Sequence, residues 1–103
     1  MKDKFIAAIH SKNKLRLSFY SKEDHQQLVR ICAPMDYGPS RRTQDRNDRF
    51  HFWDYESDTK QHTLSILPAQ VISIETLPDN FDPAEFVTWQ TQWLIPRDWG
   101  TCS

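Results

Sequence analysis

Apolar and polar residues alternate most cleanly over Leu15-Arg16-Leu17-Ser18-Phe19-Tyr20. A period of two buries one face, so this stretch predicts a strand with Leu15, Leu17 and Phe19 inward and Arg16 and Ser18 outward. Gln27 to Ala33 predicts a second strand, with Val29, Ile31 and Ala33 inward and Arg30 outward; Pro34 ends its ladder or marks an edge. The segment Arg49-Phe50-His51-Phe52-Trp53-Asp54-Tyr55 is dense in rings, which favour strand over helix. Phe50 and Phe52 point one way and His51, Trp53 and Tyr55 the other, so this third strand is expected to be central and covered twice. His62 to Leu67 predicts a fourth strand, with Leu64 and Ile66 inward. Gln70 to Leu77 predicts a fifth, with Ile72 and Ile74 inward. The Pro68-Ala69 break between them is short enough for one turn of 3₁₀ helix, a link that redirects the chain in small barrels.

Helical spacing appears at both ends. Residues 3–11 place Phe5, Ile6, Ala8 and Ile9 on a stripe, with Asp3 as the expected cap. Near the C-terminus, Phe81-Asp82-Pro83-Ala84-Glu85-Phe86 combines an N-cap Asp82, Pro83 at the first helical position, Glu85 reaching back, and a Phe81–Phe86 staple. This predicts a helix over 82–94, with Phe86, Trp89 and Trp93 on one face. Pro96 stops it, and an irregular tail, 95–103, carries Trp99.

With 103 residues, 13% aromatic and 26% charged, one domain with a real core is expected. The net charge of −1 argues against a uniformly basic nucleic-acid binder and leaves room for a local basic patch. Cys32 and Cys102 are too few for a disulfide framework, so a reducing cytoplasm is the expected compartment. Cys32 reads as a partly buried, inert thiol, and Cys102, next to last, as mobile. The start lacks the apolar run of a signal peptide, and no segment approaches the ~18 apolar residues of a membrane span.

The residue pattern resembles the WYL domain of bacterial regulators. The likeness rests on Ile6-Ala7-Ala8-Ile9 before the basic turn Lys12-Asn13-Lys14, on Leu17-Ser18-Phe19-Tyr20, and on Arg30-Ile31-Cys32-Ala33-Pro34. Tyr37-Gly38 and Val71-Ile72-Ser73-Ile74 followed by Phe81 extend it over roughly residues 5–81. The family's naming tripeptide falls on Phe50-His51-Phe52, and Pro68-Ala69-Gln70 replaces an arginine of the family's ligand pocket. The resemblance implies a mainly β (α+β) fold: a five-stranded SH3/Sm-like barrel over 14–77 with a helix at each end. It also implies a non-catalytic sensor that binds nucleic acid or a nucleotide-like ligand through basic and aromatic residues.

Candidate chemistry is therefore binding chemistry. Arg30, Arg41, Arg42, Arg46 and Arg49 carry planar, permanently charged forks that suit phosphate, and Tyr37 and Tyr55 could stack a base beside them. The plainer alternative is that the loop arginines of 36–48 pair with Asp36, Asp45 and Asp48, and that Arg30 meets an acid across the sheet. His10, His25, His51 and His62 lack metal-ligand spacing, although His51 and His62 could be neighbours on adjacent strands. No nucleophile elbow, phosphate loop or dinucleotide motif occurs, so neither an enzyme nor a cofactor is expected. Asp54 among rings is either a carboxyl with a raised pKa or a residue that marks the strand's exposed end or accepts a hydrogen bond from a turn. Trp89, Trp93 and Trp99 exceed what a small barrel readily buries, so a protein-interaction or homo-oligomer surface there is the second reading.

Overall fold

The computed structural model describes residues 1–40, 44–57 and 62–103. Helix α1 (Lys2–Ser11) is followed by strands β1 (Asn13–Ser21), β2 (Gln26–Pro39), β3 (Asp48–Asp54), β4 (Thr63–Ile66) and β5 (Val71–Asn80). Three short 3₁₀ turns lie at Pro68–Gln70, Pro83–Glu85 and Gly100–Cys102. The strands form one antiparallel sheet in the order β4-β3-β2-β1-β5. No helix among the described residues is long and apolar enough to cross a membrane.

Flat, this sheet would hold β4 and β5 about 19 Å apart, four spacings of ~4.8 Å. Only Leu67 and the turn Pro68–Gln70 join them, and such a turn advances about 2 Å per residue. The sheet therefore curls until its two edges approach. Gln70 clamps the corner: its side chain accepts from the Leu67 N–H (3.3 Å) and donates to the Tyr20 carbonyl (3.2 Å). The expected 3₁₀ link is present.

Inside the curl lie Leu15, Leu17 and Phe19 of β1, with the expected alternation, and Phe50, Phe52 and Ile66. Helix α1 closes this core by driving Phe5 edge-on into Phe50 (5.0 Å) and Phe52 (5.2 Å). Met1 rather than Asp3 occupies the cap position of α1, without a side-chain bond; Asp3 lies in the first turn.

Two strand phases differ from the sequence expectation. In β2, Leu28 and Arg30 take the inner side, opposite Phe19 and Leu17, while Val29 is exposed. A one-residue shift reverses every side chain, and the arginine is accepted inside because Asp54 meets it there. In β5, Val71 pairs with Phe19 and Ser73 with Ser18, so one extra residue bulges between them. That residue is Ile72, which is 53% exposed; Ile74 alone of the expected pair is buried. Pro34 does not end β2. It faces Phe52 beside a register shift, where a proline without an N–H is tolerated, and the strand continues to Pro39. The central strand is accordingly β2, and β3 lies one in from the β4 edge. Both faces of β3 are covered all the same, Trp53 by Phe86 and His62.

The helix expected over 82–94 shrinks to one 3₁₀ turn, Pro83–Glu85. Its start signal works locally: Asp82 accepts the Ala84 N–H (3.0 Å), and Phe81 packs on Phe86 (5.9 Å between rings). Continuation fails because the backbone donors further on are claimed elsewhere. The buried Asp36 carboxylate accepts the Leu94 N–H (2.9 Å) and the Ile95 N–H (3.0 Å). Arg97, whose side chain is 0% exposed, adds an ion pair to Asp36 (3.3 Å) and donates to the Met35 carbonyl. Its guanidinium lies against Trp93 and Trp99, 4.1 and 4.4 Å from the ring centres. Trp99 reaches on to donate its indole N–H to the Ile9 carbonyl (2.8 Å), an otherwise orphaned group at the end of α1. Cys102 is not loose, since it is buried and its carbonyl accepts the Trp93 indole N–H (2.8 Å). Cys32 is fully buried, which pushes its thiol pKa up, with Asp54 and Glu56 adding to the effect.

Removing one partner of a buried ion pair strands the other, at a cost of about 3–5 kcal/mol. Urea unfolding of Arg97→Met should show a loss of that order. Adding Asp36→Asn should recover part of it, because no buried charge is then left alone. An Arg97→Met variant as stable as the parent would show that the tail is held by its rings alone.

Candidate ligand groove

A groove of about 220 Å³ separates the C-terminal tail from the outer face of β3 and β4. Met35, His51, Thr63 and Ser65 form one side, and Trp89, Trp93 and Leu94 the other. Alternation sets this arrangement: His51 and Ser65 are cross-strand partners, as are Trp53 and Thr63, and all four point away from the Phe50–Phe52 core. His51 is held at both nitrogens, by the Gly38 carbonyl at Nε2 (2.9 Å) and the Ser65 hydroxyl at Nδ1 (2.8 Å). A carbonyl can only accept, so the partners assign a proton to Nε2, and a neutral ring then accepts from Ser65 at Nδ1.

The tail lies close because Gly38 has no side chain. At its φ of +146° an L-residue is strained, and a Cβ there would run into Leu94 Cδ1. Trp93 is fixed by its bond to Cys102 and by Arg97. Trp89 stands edge-on to it, 6.1 Å between rings, and remains 44% exposed. The groove thus offers one open indole face among neutral hydrogen-bonding groups, with Asp36 already engaged by the tail.

The binding residues expected from sequence do not gather at one place. Arg30 turns into the curl of the sheet, with Nε 3.5 Å from Asp54. Arg49 forms a two-pronged pair with Asp45 (2.8 and 3.1 Å), and this hydrogen bonding raises its pKa. Arg46 is exposed just ahead of β3. Tyr37 packs on Phe50 (4.9 Å), and the Lys2 ammonium covers its ring (4.7 Å). Tyr55 lies against Phe86, under the Lys14 ammonium (4.6 Å). The Tyr55 hydroxyl has no hydrogen-bond partner among the described residues, and burial, then Glu85 and Asp82, push its pKa up to about 12. Arg41 and Arg42 lie outside the described residues. Of the tryptophans proposed as an interaction surface, Trp99 is buried, Trp93 is half-buried under Arg97, and only Trp89 is open.

His51 and His62 lie in successive pairs of the β3–β4 ladder with different partners: His62 stacks on Trp53 (4.8 Å) and its Nδ1 meets the Asp54 carbonyl (2.9 Å). The role of His51 in the groove has no sequence signature. Arg97 does leave a trace, an arginine set between Trp93 and Trp99, whereas Asp36 is one of three loop aspartates beside three loop arginines and leaves none. Compared with known proteins, the chain matches no family model, no curated protein and no solved structure.

Asp54 combines two of the sequence readings: its Oδ1 accepts the Glu56 N–H of a turn (2.9 Å), and its pKa is raised. Burial raises it, and Glu56 adds to this, against lowering by the turn hydrogen bond, Arg30 and His62. A raised folded-state pKa favours the fold below the ordinary value of 3.8, and that advantage is lost as pH rises through the folded pKa. Asp54→Asn should therefore raise the urea midpoint at pH 7, with the gap closing as the pH approaches 3.8. A gap that is constant with pH would place the effect in packing instead.

Proposed function

We propose that this chain is a non-catalytic binding module of the WYL type on a small SH3/Sm-like barrel, and that its ligand is nucleotide-like. The exposed bases of single-stranded nucleic acid and a free nucleotide share the required chemistry. The observation that carries the reading is the groove, where the open ring of Trp89 stands opposite His51, Thr63 and Ser65. Every base has a π-face, and stacking one on an aromatic side chain contributes about 1–3 kcal/mol. Hydroxyls and amides around the ring supply hydrogen bonds without demanding a charged ligand. The strand order β5-β1-β2-β3-β4 and the 3₁₀ link between β4 and β5 support the barrel assignment.

Titration with short single-stranded DNA and RNA across a salt series tests this. Affinity should fall as salt rises, with a slope set by the phosphates contacted. Trp89→Ala should weaken binding by about 1–3 kcal/mol. Absence of binding at low salt, to the oligonucleotides and to mononucleotides, rejects the reading.

The alternative is a protein-interaction or homo-oligomer surface, favoured by the exposure of Trp89 and of Leu94, which is 50% exposed on the same wall. Light scattering should then detect a dimer that Trp89→Ser with Leu94→Ser returns to monomer. Shortening the chain at Asn80 would not serve, because Phe86 and Trp99 belong to the core.

A further inference from the structure

A second cavity, on the other side of β4 from the tryptophan groove and sharing Thr63 and Ser65 with it, opens inside the curl of the sheet. It has about 590 Å³, within the roughly 300–1,000 Å³ typical of small-molecule sites. Phe19, Leu28, Leu64 and Ile66 give it apolar walls. Among the described residues, Lys22 and Arg30 are its cations and Glu23, Asp24 and Asp54 its carboxylates, one negative charge in excess. These charges do not lie at one depth. Lys22, Glu23 and Asp24 are exposed on the β1–β2 turn, and the Asp24 carboxylate is engaged by the Ser21 hydroxyl (3.0 Å). Arg30 enters from the rim with its side chain 34% exposed. Asp54 alone is deep, its side chain only 6% exposed.

This carboxylate is incompletely matched. Its Oδ1 accepts the Glu56 N–H. Its Oδ2 faces Arg30 Nε at 3.5 Å, beyond the ~3.2 Å limit of an ordinary N–H···O bond. The Arg30 head instead donates from Nη1 to the carbonyl of its own neighbour, Val29 (3.1 Å). A buried anion with a single close donor among the described residues is costly, and a donor cation delivered beside apolar walls would relieve that cost.

We propose that this cavity is a binding site for a small organic cation, an amidine, guanidine or primary amine carried on an apolar body. The charged head pairs with Asp54, and the body lies against Phe19, Leu28 and Ile66. Arg30 is then an internal competitor, a loosely seated cation that the ligand displaces. A phosphate-bearing ligand is disfavoured here, because the one deep charge is negative. The residues that carry this site, Asp54, Arg30, Phe19, Leu28 and Ile66, do not line the Trp89 groove, although Thr63 and Ser65 border both cavities.

The probe is benzamidine, with neutral benzamide and anionic benzoate as controls, followed by amide NMR on the full chain. Low-millimolar benzamidine should shift resonances of Phe19, Arg30, Asp54 and Leu64, and the two controls should not. Asp54→Asn should weaken benzamidine at least tenfold. Arg30→Gln should tighten it severalfold, because the competitor is gone. That opposition of signs is the central test, since an anion site built on Arg30 requires the reverse order. Dispersed spectra establish that each variant is folded. If Arg30→Gln does not fold, Arg30→Lys replaces it and should leave benzamidine binding within a factor of a few. Benzoate binding in place of benzamidine, no binding of benzamidine, or an unchanged affinity in Asp54→Asn each overturns the proposal.

Discussion

One buried carboxylate organises the C-terminal tail of this molecule. Asp36 lies on the central strand and gathers the main-chain donors of Leu94 and Ile95 together with the Arg97 guanidinium. Each bond alone is modest, about 1 kcal/mol net or somewhat more for a charged partner. Their convergence on one desolvated group makes them interdependent, because losing any donor leaves a buried charge short of partners. Two tryptophans, edge-on to each other, complete the arrangement by packing against the guanidinium. Desolvation there pulls the arginine pKa down to about 10, still far above neutrality, so Arg97 keeps its charge. Everything beyond Phe86 follows the same constraint: Trp99 caps α1, Trp93 binds the terminal turn, and Trp89 is left over at the edge.

Local signals in the sequence carried the sheet well and the tail poorly. The alternation of β1 and the short link between β4 and β5 are legible because each depends on neighbours a few residues away. The inward turn of Arg30 was not, since it depends on Asp54, which is remote in the chain, and nothing in a hydrophobicity pattern marks an acceptable buried charge. Ile72 reads as inward in any ideal strand; only the partner strand creates the bulge that ejects it. The C-terminal segment is the clearest case. Asp82, Pro83 and Glu85 are a sound helix start, and Phe86, Trp89 and Trp93 have helical spacing. A long-range acceptor nonetheless offered the backbone better partners than the next turn would have.

The same residues explain why the candidate site differs from the one sequence alone suggests. Arginines that look available in a list are largely committed in three dimensions, Arg49 to Asp45, Arg97 to Asp36, and Arg30 loosely to Asp54. Surface available for recognition lies instead where the tail meets β3 and β4, and inside the curl beside Asp54. The first is aromatic and nearly neutral. The second is largely polar, with an apolar wall of Phe19, Leu28, Leu64 and Ile66 and one deep carboxylate among the described residues. Two such different cavities in 103 residues are possible because a short curled sheet leaves both its outer face and one open end partly uncovered.

Amide hydrogen exchange at Leu94 and Ile95 tests the central constraint most directly. If Asp36 holds the tail as part of the core, these two amides are as protected as those of β1 and β2, although they lie in no helix or strand. Exchange at the rate of free peptide, with the sheet amides still protected, would show a tail that merely rests on the sheet and would contradict the account.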